Sequence, residues 1–447
     1  MRPNKPKIVR SNQIYERAKD IIPAGSQTFS KGVTQFVEGF APKYLAKGKG
    51  CKVWDVDGNQ YLDYIMANQP LVLGYADPDV NRAVMDQLEL GSTFSMMNEL
   101  EVDVTELLIE NVPSAEAARF GKNGADVTTV GVRIARAVTG RDHIAYCGYH
   151  GWHDWYIANT DLNSGIPEFN QGLAHSFNFN DLDSLQQIFD KNPGEVACVI
   201  MEPLSVLEPQ DNFLEEVKKL AHHNGALLIF DEVITGFRFA VGGAQELTGV
   251  TPDLTALAKG ISNGIPLSAI VGKKDYMFAL EKTFFSFTYG GECLGLAAAK
   301  TCIPKIRDEN VPAHLNEIGT ILKNEFNKLA EQYSLSDLVE CIGYPCRSII
   351  AIDGKGKFET LELKSYMQQE LIRHGVLWTA YHSLSWAHKL EDIEFTLNAY
   401  DLTLKSLRKA IDSNVSLRSF IEGEPVKPVF RKVADFNSYI QQKGNTD

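Results

Sequence analysis

Apolar and polar positions alternate along Cys51-Lys-Val-Trp-Asp-Val-Asp-Gly-Asn-Gln-Tyr-Leu-Asp-Tyr64, on both sides of Asp57-Gly58. A period of two around an Asp-Gly pair predicts a β-hairpin. Asp55-x-Asp57-Gly58 lacks the further acids and closing glutamate of a calcium loop, so the hairpin is the better reading. Upstream, a helical pattern covers about Asn12–Ile21 and stops near Pro23-Ala-Gly25. From about residue 80 helical periods alternate with short apolar runs. The pattern predicts helices at Val80–Leu90, Glu99–Asn111, Asp126–Val138 and Glu215–His223. Strands are predicted near Arg119 and at His143–Cys147, Val196–Met201, Ala226–Phe230 and Ser268–Gly272. Such alternation builds βαβ units, hence a mostly parallel sheet with helices on both faces. A long helix is predicted from Val311 to about Tyr333, then mixed α+β material to about residue 417. The resulting plan is an N-terminal segment at 1–75 that joins a small domain, a large α/β domain at 76–310, and a smaller C-terminal α+β domain at 311–417. The first ten residues and a polar tail at 418–447 are expected to be loose.

Composition narrows the function classes. With 447 residues, 44% of them hydrophobic, the chain can bury a large core without disulfide or metal staples. A formal net charge of −13 argues against nucleic acid as a partner, yet leaves room for a local positive pocket that takes a small anion. No apolar run approaches the roughly 18 residues of a membrane span, and no apolar stretch follows the basic N-terminus as in a signal peptide. Seven scattered cysteines without a C-x-x-C pair read as reduced thiols of a cytoplasmic protein, with no structural zinc.

Four segments could carry chemistry. In Leu227-Leu-Ile-Phe-Asp-Glu-Val-Ile-Thr-Gly-Phe-Arg238 an apolar strand ends abruptly in Asp231, and ligands of parallel sheets bind at the carboxyl ends of strands. A carboxylate beside a buried run needs a cationic partner, which a ligand could supply; taken alone, a loop acid or helix N-cap explains it more simply. Lys259 sits among Leu257, Ala258, Gly260 and Ile261. Burial disfavours the charged form of an amine and leaves it a nucleophile for a carbonyl, although a lysine snorkelling to the surface is the commoner case. Phe120-Gly-Lys-Asn-Gly-Ala-Asp126 turns from a strand into a helix, and its free N–H groups suit a phosphate; it matches neither the Walker pattern nor G-x-G-x-x-G. Tyr149, in Cys147-Gly-Tyr-His-Gly-Trp-His-Asp154, follows a strand end and could stack on a flat ring. His150 and His153 lack a third ligand at metal spacing, and the nearby Trp152, Trp155 and Tyr156 also suit a plain core.

Together these parts are what is needed to hold pyridoxal 5′-phosphate (PLP): a phosphate cradle, a stacking aromatic, a carboxylate for the ring nitrogen and a lysine for the aldehyde. Here the chain resembles the class III aminotransferases, especially the branch containing glutamate-1-semialdehyde aminomutase, over about residues 12–412. The matching runs are Asp231-Glu-Val-Ile-Thr-Gly-Phe-Arg238, Pro252-Asp-Leu-Thr-Ala-Leu-Ala-Lys259, Thr139-Gly-Arg-Asp142 followed by Tyr149-His-Gly151, and Glu202-Pro203. The resemblance implies the fold type I of PLP-dependent transferases. It makes Lys259 the Schiff-base lysine and proton shuttle, and Asp231 the partner of the pyridine nitrogen. Val233 would pack on one face of the ring and Tyr149 on the other. Asn123, Gly124 and Ala125 would form the phosphate turn, with Glu202 a supporting acid. Thr288, in Ser286-Phe-Thr-Tyr-Gly-Gly-Glu292, would reach the phosphate of a neighbouring subunit, so that a homodimer shares its sites.

Two departures stand out. The family's Ser-Gly-Thr-Glu turn is here Asn123-Gly-Ala-Asp126, so the missing hydroxyl at Ala125 leaves more to the backbone amides. Its Gly-Asn-Pro after the threonine is here Gly290-Gly-Glu292. Both resemble family members that aminate sugar-related carbonyls, among them the enzyme making an 8-amino derivative of Kdo, a lipopolysaccharide sugar acid. Trp152, Trp155, Trp378, Tyr381 and Trp386 would suit a ligand of that size, as would simple core packing. The expected reaction is ping-pong transamination from a donor such as glutamate. Rivals are an intramolecular aminomutase, a catalytically inactive binding protein of the same fold, and a lysine aldolase, which gives no reason for the phosphate turn.

Overall fold

The computed structural model describes residues 5–356 and 358–428. They divide into two compact units, one of residues 70–72 and 78–312, the other of residues 5–69, 73–77 and 313–428.

The first unit holds one seven-stranded sheet: β1 (Ala117–Gly121), β2 (His143–Cys147), β3 (Ala174–Ser176), β4 (Val196–Met201), β5 (Leu227–Glu232), β6 (Leu254–Leu257) and β7 (Ser268–Gly272). Their order is β1-β7-β6-β5-β4-β2-β3. Strands β2 to β6 pair in parallel, whereas β7 is antiparallel to both neighbours. Strand β1 therefore points the same way as β2 to β6. Every residue of β4, β5, β6 and β7 is buried, as expected of strands covered on both faces. Helix Gly124–Thr139 lays Val127, Val130 and Ile134, at helical spacing, into a core shared with Ile144, Ile200, Ile229 and Ile270. Burying each such side chain contributes roughly 1.5–3 kcal/mol.

In the second unit the hairpin forms as its alternation predicts, with Val53 opposite Tyr61. It is flanked by Leu45–Lys49, antiparallel, and by Val376–Leu377, parallel. A three-stranded sheet of Val339–Ile342, Arg347–Ile352 and Tyr381–Ser383 and the helices Thr360–Arg373 and Leu390–Asp412 complete it.

Differences from the sequence pattern have local causes. The first helix is Val9–Ala18, about three residues early. Asp57 of the hairpin turn accepts the backbone N–H groups of Arg10 and Ser11 at 2.7 and 2.8 Å, so a distant residue caps the helix start. Strand β5 continues through Asp231 and Glu232, whose backbones pair with Ala256 and Leu257. Helix Cys293–Asp308 carries Pro304 inside and small residues at 295 and 297–299, which blur any apolar stripe. The segment after Arg418, expected to be loose, buries Ile421 and Val426, and Val426 N–H donates to Ser365 Oγ at 2.9 Å; residues 429–447, like 1–4, lie outside the described residues. All seven cysteines are free and buried. Among the described residues no helix is long and apolar enough to cross a membrane.

Asp63, at the end of the hairpin, is 1% exposed and accepts from Tyr75 Oη and Ile65 N–H, each at 2.7 Å. Burial outweighs these bonds and raises its carboxyl from 3.8 to about 6. A raised acid favours the folded state while both states are protonated, below about pH 4, and loses that advantage as pH rises through about 6. Asp63→Asn is therefore expected to raise stability at pH 8, by up to the order of 3 kcal/mol, and to change little at pH 4. Urea unfolding at the two pH values checks this; an equal effect at both contradicts it.

Candidate active site

The carboxyl ends of the strands that run together converge on one edge of the large sheet. Strand β1 leads into Lys122 and the Asn123-Gly124-Ala125 turn, β2 into Tyr149 and His150, β4 into Glu202, and β6 into Lys259, while β5 ends with Asp231 and Glu232. Five separated stretches of sequence meet there because parallel strands present the same end to one side.

Asp231 is 5% exposed. Its Oδ1 accepts Val233 N–H at 3.1 Å, and its Oδ2 lies 2.8 Å from His150 Nδ1. His150 is 2% exposed, and its Nε2 meets the Cys147 carbonyl at 3.1 Å. That carbonyl can only accept, so Nε2 carries a hydrogen, and the Nδ1···Oδ2 contact is made across one further proton. His150, to which sequence spacing gave no role once a metal site was set aside, is thus the partner of the buried acid. Thr128 Oγ1 donates to the His150 carbonyl at 2.7 Å, and the rings of Trp155 and Tyr156 pack on the imidazole with centroids 6.0 and 5.6 Å away. His153 shares Thr129 with Trp155 Nε1. Among the described residues no group of three or more His, Cys, Asp or Glu side chains could hold a metal ion.

The neighbouring Glu232 is fully buried and has a different task. It accepts from Thr235 Oγ1, Gln245 Nε2 and the backbone N–H groups of Ala244 and Gln245, which ties β5 to the segment beyond it. Burial raises its carboxyl and these four donors oppose the rise.

The turn after β1 is drawn tight by Asp126, whose Oδ2 accepts the N–H groups of Lys122 and Asn123 at 2.9 and 2.8 Å. Gly124 keeps the turn close to Val233, since a Cβ there would stand 3.0 Å from Val233 Cγ1, a tight contact. Gly151, at φ +106°, lets the loop after β2 press on the same turn; its Cβ would be 2.6 Å from that of Ala125. Tyr149 is half-buried, its N–H donates to Glu202 Oε2 at 3.1 Å, and its ring meets Tyr156 edge-on at 5.5 Å. The structure therefore brings Gly124, Ala125, Tyr149, Glu202, Asp231 and Val233 together through these contacts.

Lys259 opens a short turn, Lys259–Ser262, three positions beyond Ala256, the β6 partner of Asp231. It is half-buried, with a left-handed φ of +45°, a conformation that a non-glycine residue holds only under restraint and that concentrates at functional sites. Asn123 is exposed at the helix start, and Thr288 is exposed on the turn before helix Cys293–Asp308. Of the aromatics read as sugar-sized, Trp155 and Trp378 are core side chains, 8% and 0% exposed, and Trp152 is 68% exposed. Sequence spacing gave no sign that Lys122 and Glu292 pair, at 2.8 Å from 170 positions apart, although each stands in a segment that the sequence singles out.

The family model described as Aminotransferase class-III matches residues 38–388. A 3-aminobutyryl-CoA aminotransferase of Cloacimonas acidaminovorans is 35% identical over 417 residues, 91% of this chain and 99% of that protein. A glutamate-1-semialdehyde 2,1-aminomutase of Persephonella marina is 31% identical over 90% of this chain and 100% of its own length. Among solved structures, the FumI protein of Sphingopyxis sp. MTA144 in its PLP internal aldimine form superposes with a TM-score of 0.85 at 26% identity, covering 92% of this chain and 99% of that one. An omega-transaminase from Sphaerobacter thermophilus does so at 0.81 and 26%, over 90% and 99%.

Gly151→Ala is expected to destabilise the protein by roughly 1–3 kcal/mol, since it combines an unfavourable φ with a collision against Ala125. Urea denaturation measures this, and an unchanged midpoint contradicts the packing described.

Proposed function

Because the chain belongs to the class III aminotransferase family, we propose that it moves an amino group from glutamate to an aldehyde or ketone of a sugar acid, such as an 8-oxo derivative of Kdo. It has fold type I of the PLP-dependent transferases, and its cofactor is pyridoxal 5′-phosphate. The residues fit that group on two counts. Asp231 is buried with a proton-sharing partner, and Gly124 leaves a cradle that a side chain would fill against Val233. The observation that carries the reading is the buried Asp231–His150 pair at the end of β5.

Bound PLP supplies an electron sink that allows a substrate C–H bond to be broken and remade. In this reading Lys259 provides the amine that anchors the cofactor aldehyde, and then takes and returns the proton of the substrate carbon. Asp231 holds a proton on the ring nitrogen. His150 keeps the carboxylate oriented, since Oδ2 cannot turn away without breaking the bond to Nδ1. Val233 and Tyr149 would pack on the ring, and Glu202 fixes Tyr149 through its backbone. The amides of Gly124 and Ala125, with Asn123 beside them, would hold the phosphate at a helix N-terminus, where the dipole favours an anion. An amino donor and a carbonyl acceptor use the same groups in turn, which is a ping-pong cycle.

A homodimer follows in this reading from Thr288, which serves the phosphate of the partner copy. Exposed apolar side chains support it: Leu90, Phe94, Met96 and Met97 on one segment, Phe284 and Tyr289 on another. The two segments adjoin where Cys293 N–H donates to the Ser92 carbonyl at 2.8 Å. Free, buried thiols fit a reducing cytoplasm. The departures at Ala125 and Glu292 support the sugar-acid acceptor and a place in lipopolysaccharide sugar synthesis. A second reading, an intramolecular 2,1-aminomutase, is favoured by relatives of that name at 30–32% identity. Donor dependence separates the two: turnover of a single amino-carbonyl substrate without glutamate or another donor establishes the aminomutase.

Lys259→Ala is expected to abolish turnover while leaving the fold intact by circular dichroism; near-wild-type activity refutes its role. Asp231→Ala is expected to weaken PLP binding and to slow turnover by well over tenfold, more than about 1.4 kcal/mol of barrier. A steady-state rate within tenfold of wild type counts against a role at the ring nitrogen.

A further inference from the structure

Lys122 and Glu292 join the two places where the chain departs from its family pattern. Lys122 immediately precedes the Asn123-Gly124-Ala125 turn, and Glu292 ends the Gly290-Gly-Glu292 run four residues after Thr288. Their side chains, each 16% exposed, meet with Lys122 Nζ donating to Glu292 Oε2 at 2.8 Å. Lys122 Nζ also reaches the Pro266 carbonyl at 3.3 Å.

Glu292 is fixed independently of the lysine. Its Oε1 accepts Leu294 N–H at 2.8 Å and its Oε2 accepts Gly295 N–H at 3.2 Å, so it caps helix Cys293–Asp308. The first turn of that helix rests on Pro266, whose carbonyl would stand 2.8 Å from a Cβ at position 295. The lysine is thus tied at its far end to a rigid helix start. At its near end its N–H is tied to Asp126, which also takes the N–H of Asn123. The residue before the turn is held through both its backbone and its side chain.

Such a hold has consequences where Ala125 lacks a hydroxyl. Backbone amides are directional donors that no rotamer change can re-aim, so the phosphate must be met by the placement of the turn itself. We infer that the Lys122–Glu292 pair is a positioning brace that sets the Asn123-Gly124-Ala125 turn for the cofactor phosphate. The changes at Ala125 and Glu292 are then one device: a side-chain donor is given up and the backbone donors are locked in its place. Both residues are positioning residues, since in this account neither touches the cofactor. The inference rests on the reading of that turn as the phosphate site.

The test is the dissociation constant for PLP, measured by titrating apo-protein and following the cofactor's absorbance, together with the thermal midpoint of each apo-protein. The variants are Lys122→Met, Glu292→Gln, the double variant and Lys122→Arg. Glu292→Gln keeps an oxygen for the cap while removing the charge. Each of the first two is expected to weaken PLP binding at least tenfold. The double variant should be no more than about threefold worse than the weaker single, because the two remove one interaction. Lys122→Arg should recover binding to within about threefold of wild type. Lower apo midpoints with unchanged PLP affinity overturn the inference by showing a role in stability alone. Tighter binding by Glu292→Gln also overturns it, by making Lys122 a phosphate ligand that Glu292 restrains. If wild-type protein takes up no PLP, the phosphate reading and the inference fail together; wild-type uptake with unaffected variants sinks the inference alone.

Discussion

A carboxylate that is 95% out of water governs the arrangement of the large unit. A carboxyl group buried in an apolar sheet calls for hydrogen-bonding partners, because removing an isolated carboxylate from water is expensive. His150 provides that partner from the neighbouring loop, itself anchored through the Cys147 and Thr128 contacts. The demand spreads outward. The loop after β2 must come close, which calls for Gly151 against Ala125; the turn after β1 must be narrow, which calls for Gly124 against Val233. Tyr149 is carried along on the same loop and is pinned by Glu202. The contacts of one buried acid thereby tie together four strand ends.

The neighbouring acid shows how position decides chemistry. Asp231 and Glu232 are adjacent and both buried, yet successive residues of a strand point to opposite faces. Glu232 is saturated by four donors and closes the structure behind the strand, whereas Asp231 has one histidine and one amide and keeps accepting capacity for a further donor. The Asp-Glu pair in the sequence is one structural acid beside one acid available to a ligand.

Much of this was legible along the chain. Strands β2, β4 and β7 and helix Glu99–Asn111 lie where apolar periodicity puts them, because buried parallel strands and amphipathic helices write their burial directly into residue type. Motif residues at strand ends were legible too, since a charge that interrupts an apolar run is conspicuous. Contacts made across long separations were not. Asp57 capping the first helix, His150 on Asp231 and Lys122 on Glu292 join positions 46, 81 and 170 apart in sequence, and no local pattern announces them. The left-handed Lys259 was equally hidden, because backbone strain is imposed by surroundings rather than by the residue that bears it.

The central claim is that one lysine at the end of β6 forms the covalent link to the cofactor. Borohydride reduction of the PLP-loaded protein, followed by digestion and peptide mass mapping, tests it directly. The account predicts a pyridoxyl group on the peptide containing Lys259 and on no other. A label on a different lysine, or none at all after loading, would contradict it.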